Sequence, residues 1–310
     1  MTYEDCKLVV VAQNAGGEGK STWTEALVAL GTIAGLQPLV FDADPGMRGF
    51  RNRSGGQGLI ELSWGESHAA GEDGTNWCEK HFNDRKLVLI DTGANFFSAT
   101  HRVQNYLSEV IGAALELRVT VAIHVVVGTN KVGSFRGAVD FHRQYGQHVD
   151  VVLVRNNRDG SGEFGESKLT PNWPAIIDID HLSPGLQTYR LTRAEPLLGL
   201  LREPTPGFTT ASGLIARWLL RIAREEHVQG MFGRGAIGEL EELSAHAPDR
   251  YAYALASLDC VTDEKLSANM AVSRAWNAFL DTLPETDRAG FDHAAKELWR
   301  AERAFFGHPT

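Results

Sequence analysis

Five runs in the first two-thirds of the chain are almost continuously apolar: 8–12, 38–41, 87–90, 119–127 and 149–154. A strand covered on one face alternates apolar and polar side chains, whereas a strand covered on both does not. The runs therefore predict strands of a parallel sheet with helices on either side. Helical spacing is found near 22–36, 100–117, 132–146 and 208–226. This alternation of strand and helix predicts an α/β fold with a doubly wound, mostly parallel sheet. Glycine-rich segments 53–58 and 71–74, and the polar segment 156–165, are expected as loops. Beyond Glu226 the strand-like runs stop, and turn signals fall around 230–238, 247–249 and Pro284. Two regions are expected: an α/β domain over 1–229 and a helical C-terminal appendage over 230–310.

The turn after the first run carries the strongest chemistry. Residues 13–22 read Gln-Asn-Ala-Gly-Gly-Glu-Gly-Lys-Ser-Thr. A strand feeding a glycine-rich turn into a helix N-terminus aims backbone N–H groups and the positive end of the helix dipole at one point, which suits phosphate. Gly16, Gly17 and Gly19 allow close backbone approach, Lys20 can reach the β/γ-phosphates, and the Ser21 hydroxyl can ligate Mg²⁺. The pattern G-x-x-x-x-G-K-[ST] is met except at its first glycine, which is Asn14. Asn tolerates the left-handed backbone region better than most residues do.

Two acidic motifs follow in order. Leu39-Val40-Phe41-Asp42-Ala43-Asp44-Pro45-Gly46 ends one predicted strand, and Leu87-Val88-Leu89-Ile90-Asp91-Thr92-Gly93 ends another. Ligands of open parallel sheets bind beyond the carboxyl ends of the strands, so all three motifs are expected at one edge. Phosphoryl transfer needs a phosphate cradle, a metal held by hydroxyl and carboxylate, and a group that orients water. Asp91 is assigned to the Mg²⁺ shell, with Asp42 near the metal and Asp44 positioned to orient the water. The alternative for each aspartate alone is a helix N-cap.

Composition narrows the setting. Apolar content of 43% and charged content of 22% are those of a globular protein. No run is long enough to span a bilayer, and Met-Thr-Tyr-Glu-Asp-Cys lacks a basic stretch followed by an apolar core. Cys6, Cys78 and Cys260 form no CxxC pair, so a reduced, cytoplasmic protein without a cysteine-bound metal is expected. The net charge of −9 excludes a globally basic nucleic-acid binder, and residues 231–310 are acidic too, with 8 Lys+Arg against 13 Asp+Glu. Any DNA contact requires a local basic patch.

The three motifs resemble those of the ParA/MinD family of deviant Walker ATPases, whose loop reads K-G-G-x-G-K-[ST]. The likeness is carried by residues 15–21, by Asp42-Ala43-Asp44-Pro45 and by Asp91-Thr92-Gly93, and in motif order it spans roughly 5–225. It implies a P-loop NTPase fold of the SIMIBI type, MgATP as ligand and an ATP-dependent homodimer that positions or segregates DNA or another cargo. It implies nucleotide contacts from Gly16, Gly17, Glu18, Gly19, Lys20, Ser21 and Thr22, and catalytic roles for Lys20 and Asp44. It also implies that Asn156, after the run 151–155, reads adenine, beside the alternative of a loop Asn making its own turn.

One departure bears on chemistry. The family's signature lysine, which reaches the partner's nucleotide across the dimer, is Ala15 here. Its loss can cost orders of magnitude in rate. Another cation can substitute, with Arg48, Arg51 and Arg53 as candidates beside a solvated basic loop. Otherwise dimerisation takes a different geometry, or ATP serves as a switch and is hydrolysed slowly. A nucleotide-binding interaction protein that docks a protein partner or adaptor, and a metabolic ATP-dependent enzyme on the same scaffold, are the alternatives of other classes.

Arg217, Arg221 and Arg224 recur at helical spacing and could line a DNA backbone, which would associate the protein with the nucleoid; the alternative is the solvent face of an amphipathic helix. Trp299, Phe305 and Phe306 lie in a segment of mixed charge, which argues against membrane docking. His124 sits inside an apolar run and reads as a satisfied core residue.

Overall fold

The computed structural model describes residues 3–13, 15–43, 59–61, 73–83, 85–94, 101–129, 131, 133–164, 171–182, 186–187, 190, 196–203 and 209–245. Among them one sheet comprises β1 (Lys7–Ala12), β2 (Leu39–Ala43), β3 (Leu59–Glu61), β4 (Leu87–Thr92), β5 (Thr120–Gly128), β6 (Asp150–Asn156) and β7 (Ile176–Ile179). The order is β3-β2-β4-β1-β5-β6-β7, and each adjacent pair is parallel. The parallel α/β sheet expected from the uninterrupted runs is the one observed. The helices are α1 (Lys20–Ile33), α2 (Gly74–Phe82), α3 (His101–Glu116), α4 (Ser134–Tyr145), α5 (Leu197–Arg202), α6 (Thr209–Ala223), α7 (Glu226–Phe232) and α8 (Gly235–Ser244).

Successive side chains of a strand point to opposite faces. Leu8, Val10, Phe41, Ile90, Ile123 and Leu153 point to one face and share a core with Trp77 of α2, Tyr106 of α3 and Phe141 of α4. On the other face α1 packs against β1 and β4, and Phe232 of α7 lies over Gly31 of α1. Full burial of Trp23, Leu27 and Leu30 anchors α1 there. Each such side chain stabilises by about 1.5–3 kcal/mol relative to exposure.

Backbone contacts divide the chain into Met1–His181 with Ile222–Ala236, and Leu182–Arg221 with Ile237–Thr310. The sheet and helices α1–α4 and α7 belong to the first unit. Within the second, Leu200 of α5 is fully buried and its carbonyl accepts the Ser212 hydroxyl at 3.0 Å. Arg202 there donates to both carboxylate oxygens of Glu239, at 2.6 and 3.0 Å.

Several elements differ from the pattern-based expectation. The segment 71–74 reads as a loop, yet Gly74 opens α2, because the Asp73 carboxylate accepts the Asn76 N–H at 2.8 Å and caps it. Strands β3 and β7 escape notice because one has three residues and the other alternates Ile176 and Asp178 outward with Ile177 and Ile179 inward. The single helix expected over 208–226 is two, broken between Ala223 and Glu226, and position 230 lies inside α7. Asn156, expected in a loop, is the last residue of β6.

Candidate phosphate-binding site

Strand β1 lies between β4 and β5, with β2 beyond one and β6 beyond the other. The chain therefore changes direction across the sheet at β1, and such a switch point is where open α/β sheets bind ligands. The turn that leaves β1 is the glycine-rich segment. Gly17 has φ 75° and Gly19 φ 98°, both in the left-handed region that glycine occupies without a Cβ penalty. A Cβ at Gly19 would overlap Asn156 Nδ2. Gly19 is the N-cap of α1 and, as a glycine, makes no side-chain cap bond. Lys20 opens α1, is buried, and places Nζ 3.5 Å from the Ala15 carbonyl.

Three side chains fasten the loop to its surroundings. Buried Gln13 donates Nε2 to the carbonyls of Val126, at 3.0 Å, and Ser134, at 2.9 Å. Glu18 is fully buried, and its Oε2 accepts the Gly128 N–H at 2.6 Å. Asn156, nearly buried, donates Nδ2 to the Glu18 carbonyl at 2.8 Å. The sequence marks Glu18 only as the variable residue of the loop, whereas the fold turns its carboxylate inward as an anchor. Gly128 was the available signal: a Cβ there would stand 2.5 Å from Glu18 Oε2.

Two further cations went unrecognised in the sequence. Lys131 donates Nζ to the Gly16 carbonyl and stands 3.4 Å from Glu18 Oε1. Arg158 donates Nη1 to the Gly17 carbonyl at 2.8 Å. They follow β5 and β6, 115 and 141 residues away from their loop partners, and carry no local motif.

Two of the acidic residues lie side by side in the sheet. Asp42 of β2 and Asp91 of β4 are direct register partners, both buried, and Asp91 is also the partner of Val11 in β1. Both occupy positions that alternate with the Phe41 and Ile90 core, on the α1 face. Ser21 and Thr22 are half-buried in the first turn of α1. Hydroxyl and carboxylate oxygens suit Mg²⁺, which keeps waters and takes its remaining ligands from phosphates. Among the described residues no group of three or more His, Cys, Asp or Glu forms a metal cluster. Asn14, Asp44, Arg48, Arg51, Arg53, Trp299, Phe305 and Phe306 lie outside the described residues.

Behind the loop, His124 is fully buried in β5 as expected of a core residue. Trp23 donates Nε1–H to His124 Nδ1 at 3.0 Å, and His124 Nε2 lies 3.3 Å from His227 Nε2. An indole only donates, so His124 Nδ1 is an acceptor and Nε2 carries the proton of the neutral ring. Burial, with His227 beside it, holds the His124 imidazole well below its ordinary pKa; burial lowers His227 as well, opposed by Asp150.

The predicted basic stripe is uneven. Helix α6 is buried on almost every described side chain, with Arg217 half-buried and Arg221 exposed; Arg224, just past its end, is exposed. A cavity of about 370 Å³ beside Arg155, Phe164 and Asp178 lies at the β6–β7 edge. Arg155 precedes Asn156 in β6 and points to the opposite face, so this cavity is separate from the loop. No helix among the described residues is long and apolar enough to cross a membrane.

No family model matches the chain, and no curated protein matches it. Among solved structures, the MinC:MinD cell division protein complex of Aquifex aeolicus is similar at 17% identity and a TM-score of 0.46, over 73% of this chain and 96% of that one. The MinD cell division protein of Aquifex aeolicus is similar at 16% identity and a TM-score of 0.39, over 76% of this chain and 97% of that one.

Proposed function

We propose that this chain is a ParA/MinD-type nucleotide-dependent switch that binds MgATP at residues 15–22 and associates into a homodimer when ATP is bound. The observation that carries the reading is the start of α1 behind two left-handed glycines, beside a sheet whose next two strands, β4 and β2, carry the register pair of buried aspartates Asp91 and Asp42. Gly16, Gly17, Glu18 and Gly19 contribute backbone N–H groups to the phosphates, Lys20 its ammonium, and Thr22 its place in the first helical turn. Ser21, Asp42 and Asp91 hold Mg²⁺, directly or through water. Bound magnesium would neutralise charge on the terminal phosphates during transfer. Asp44 orients the attacking water. Hydrolysis is slow, because Ala15 cannot reach across a dimer to the partner's nucleotide, and the protein acts through the ATP-bound state.

The cargo is DNA (a plasmid or chromosome) or another load, in the cytoplasm. A DNA contact would rest on exposed Arg221 and Arg224 more than on half-buried Arg217. Sedimentation of the full chain with MgATP and with MgADP tests the switch. A dimer with MgATP alone is expected; a monomer under both conditions at saturating nucleotide overturns the reading. Salt-sensitive binding to duplex DNA, lost on R221A/R224A, tests the cargo, and binding unchanged in that variant overturns the assignment of those residues.

A further inference from the structure

We infer that Lys131 and Arg158 supply, from within the same chain, the positive charge on the terminal phosphate that Ala15 lacks; this rests on the ATP reading above. A Cβ built on Gly17 would stand 3.6 Å from Lys131 Nζ and 3.7 Å from Arg158 Nη1. The two cations thus meet over one residue of the loop, two positions from Ala15. They come from separate strand ends: Lys131 follows β5 and Arg158 follows β6.

Their charge is incompletely compensated there. Lys131 shares the Glu18 carboxylate with the Gly128 N–H, at 3.4 Å from Oε1. Arg158 contacts no carboxylate among the described residues; its guanidinium rests on the Gly17 carbonyl, and its Cδ would lie 3.5 Å from a Cβ on Gly128. Like charges brought together cost energy unless an anion joins them. Both heads keep access to solvent, with a third of the Lys131 side chain exposed and Arg158 exposed, so each can turn from a carbonyl to a phosphate oxygen. A signature lysine works across a dimer. Lys131 and Arg158 need no partner, because the loop they touch is their own.

The test is calorimetric titration of the full chain with MgATP and with MgADP, for the unaltered protein and for Lys131→Met, Arg158→Met and the double variant. Methionine keeps much of the side-chain length and removes the charge. Charge-assisted contacts of this kind change affinity by roughly tenfold or more each. The expected result is a loss of about tenfold for ATP in each single variant, a smaller loss for ADP, and partial rescue by Lys131→Arg and Arg158→Lys. The ATP loss should not depend on protein concentration. Equal losses for the two nucleotides would mean that the side chains only brace the loop, and would overturn the inference. Unchanged affinities would do the same, and so would a loss that appears only at concentrations where dimers form. No nucleotide binding by the unaltered chain overturns the ATP reading, and this inference with it; nucleotide binding that Lys20→Ala abolishes but the methionine variants leave intact overturns this inference alone.

Discussion

The Glu18 carboxylate accepts the Gly128 backbone N–H at 2.6 Å, and both residues are buried. This bond ties the middle of the glycine-rich loop to the end of the neighbouring strand. Replacing Glu18 by Ala leaves that N–H buried without its acceptor, at a cost of about 1–3 kcal/mol. Gly128→Ala drives a Cβ into the same carboxylate and should destabilise by a similar amount. Urea unfolding measures both, and unchanged midpoints would show that the anchor contributes nothing.

Lys20 is the loop's own cation and already lies at its mouth, 3.5 Å from the Ala15 carbonyl. If the loop binds nucleotide as proposed, its ammonium should exchange that carbonyl for phosphate oxygens. Lys20→Ala should abolish detectable MgATP binding in calorimetry, while far-ultraviolet circular dichroism remains that of the parent. Retained affinity would place the ligand elsewhere.

Asn156 holds the loop through Nδ2, bonded to the Glu18 carbonyl at 2.8 Å. Asn156→Asp sets a carboxylate oxygen against that carbonyl, exchanging attraction for repulsion, whereas Asn156→Ala only removes the bond. The Asp variant should therefore lose more thermal stability than the Ala variant. The opposite ranking would argue that the amide does not support the loop.

Stability should fall as pH falls, through the Trp23, His124 and His227 chain. Both imidazoles are lowered from the ordinary value of 6.5, His124 strongly. The unfolded chain therefore binds protons that the folded chain excludes. That difference is absent well above pH 6.5 and grows as the pH drops below it. Glu225 works in the other direction, because burial, with Asp178 and Asp180 nearby, raises its carboxyl and folding favours its protonated form. Melting temperatures recorded from pH 8 to pH 5 should decline on the acid side, and His227→Gln should flatten part of that decline. A flat profile in the parent would contradict the neutral assignment of the histidines.

Trp23→Phe keeps the ring's burial and removes the N–H that His124 Nδ1 accepts at 3.0 Å. A buried acceptor without its donor costs about 1–3 kcal/mol. The variant should melt earlier at neutral pH, and a melting curve equal to the parent's would mean that the bond is without net value.

Local order is legible in the residues themselves. Runs such as 8–12 and 149–154 are uninterrupted because both faces of the sheet are covered, and that burial pattern is written directly into residue type. The glycine-rich turn was legible for a similar reason: its left-handed backbone restricts Gly17 and Gly19 to few residue types. Elements without such restriction were not. Strand β7 is held by its neighbour β6 and shows little pattern of its own, and α2 begins at a glycine that reads as a loop until Asp73 is seen to cap it.

By itself the amino-acid sequence determined the parallel α/β class, the glycine-rich turn between a strand and a helix, and an uncharged Ala at position 15. Only the tertiary structure decided what surrounds that loop. Lys131 and Arg158 reach it from residues more than a hundred positions away, Glu18 turns inward onto Gly128, and Asp42 falls in register with Asp91. These relationships arise from the order in which strands pair, and pairing order follows from the packing of whole layers, which no short segment encodes.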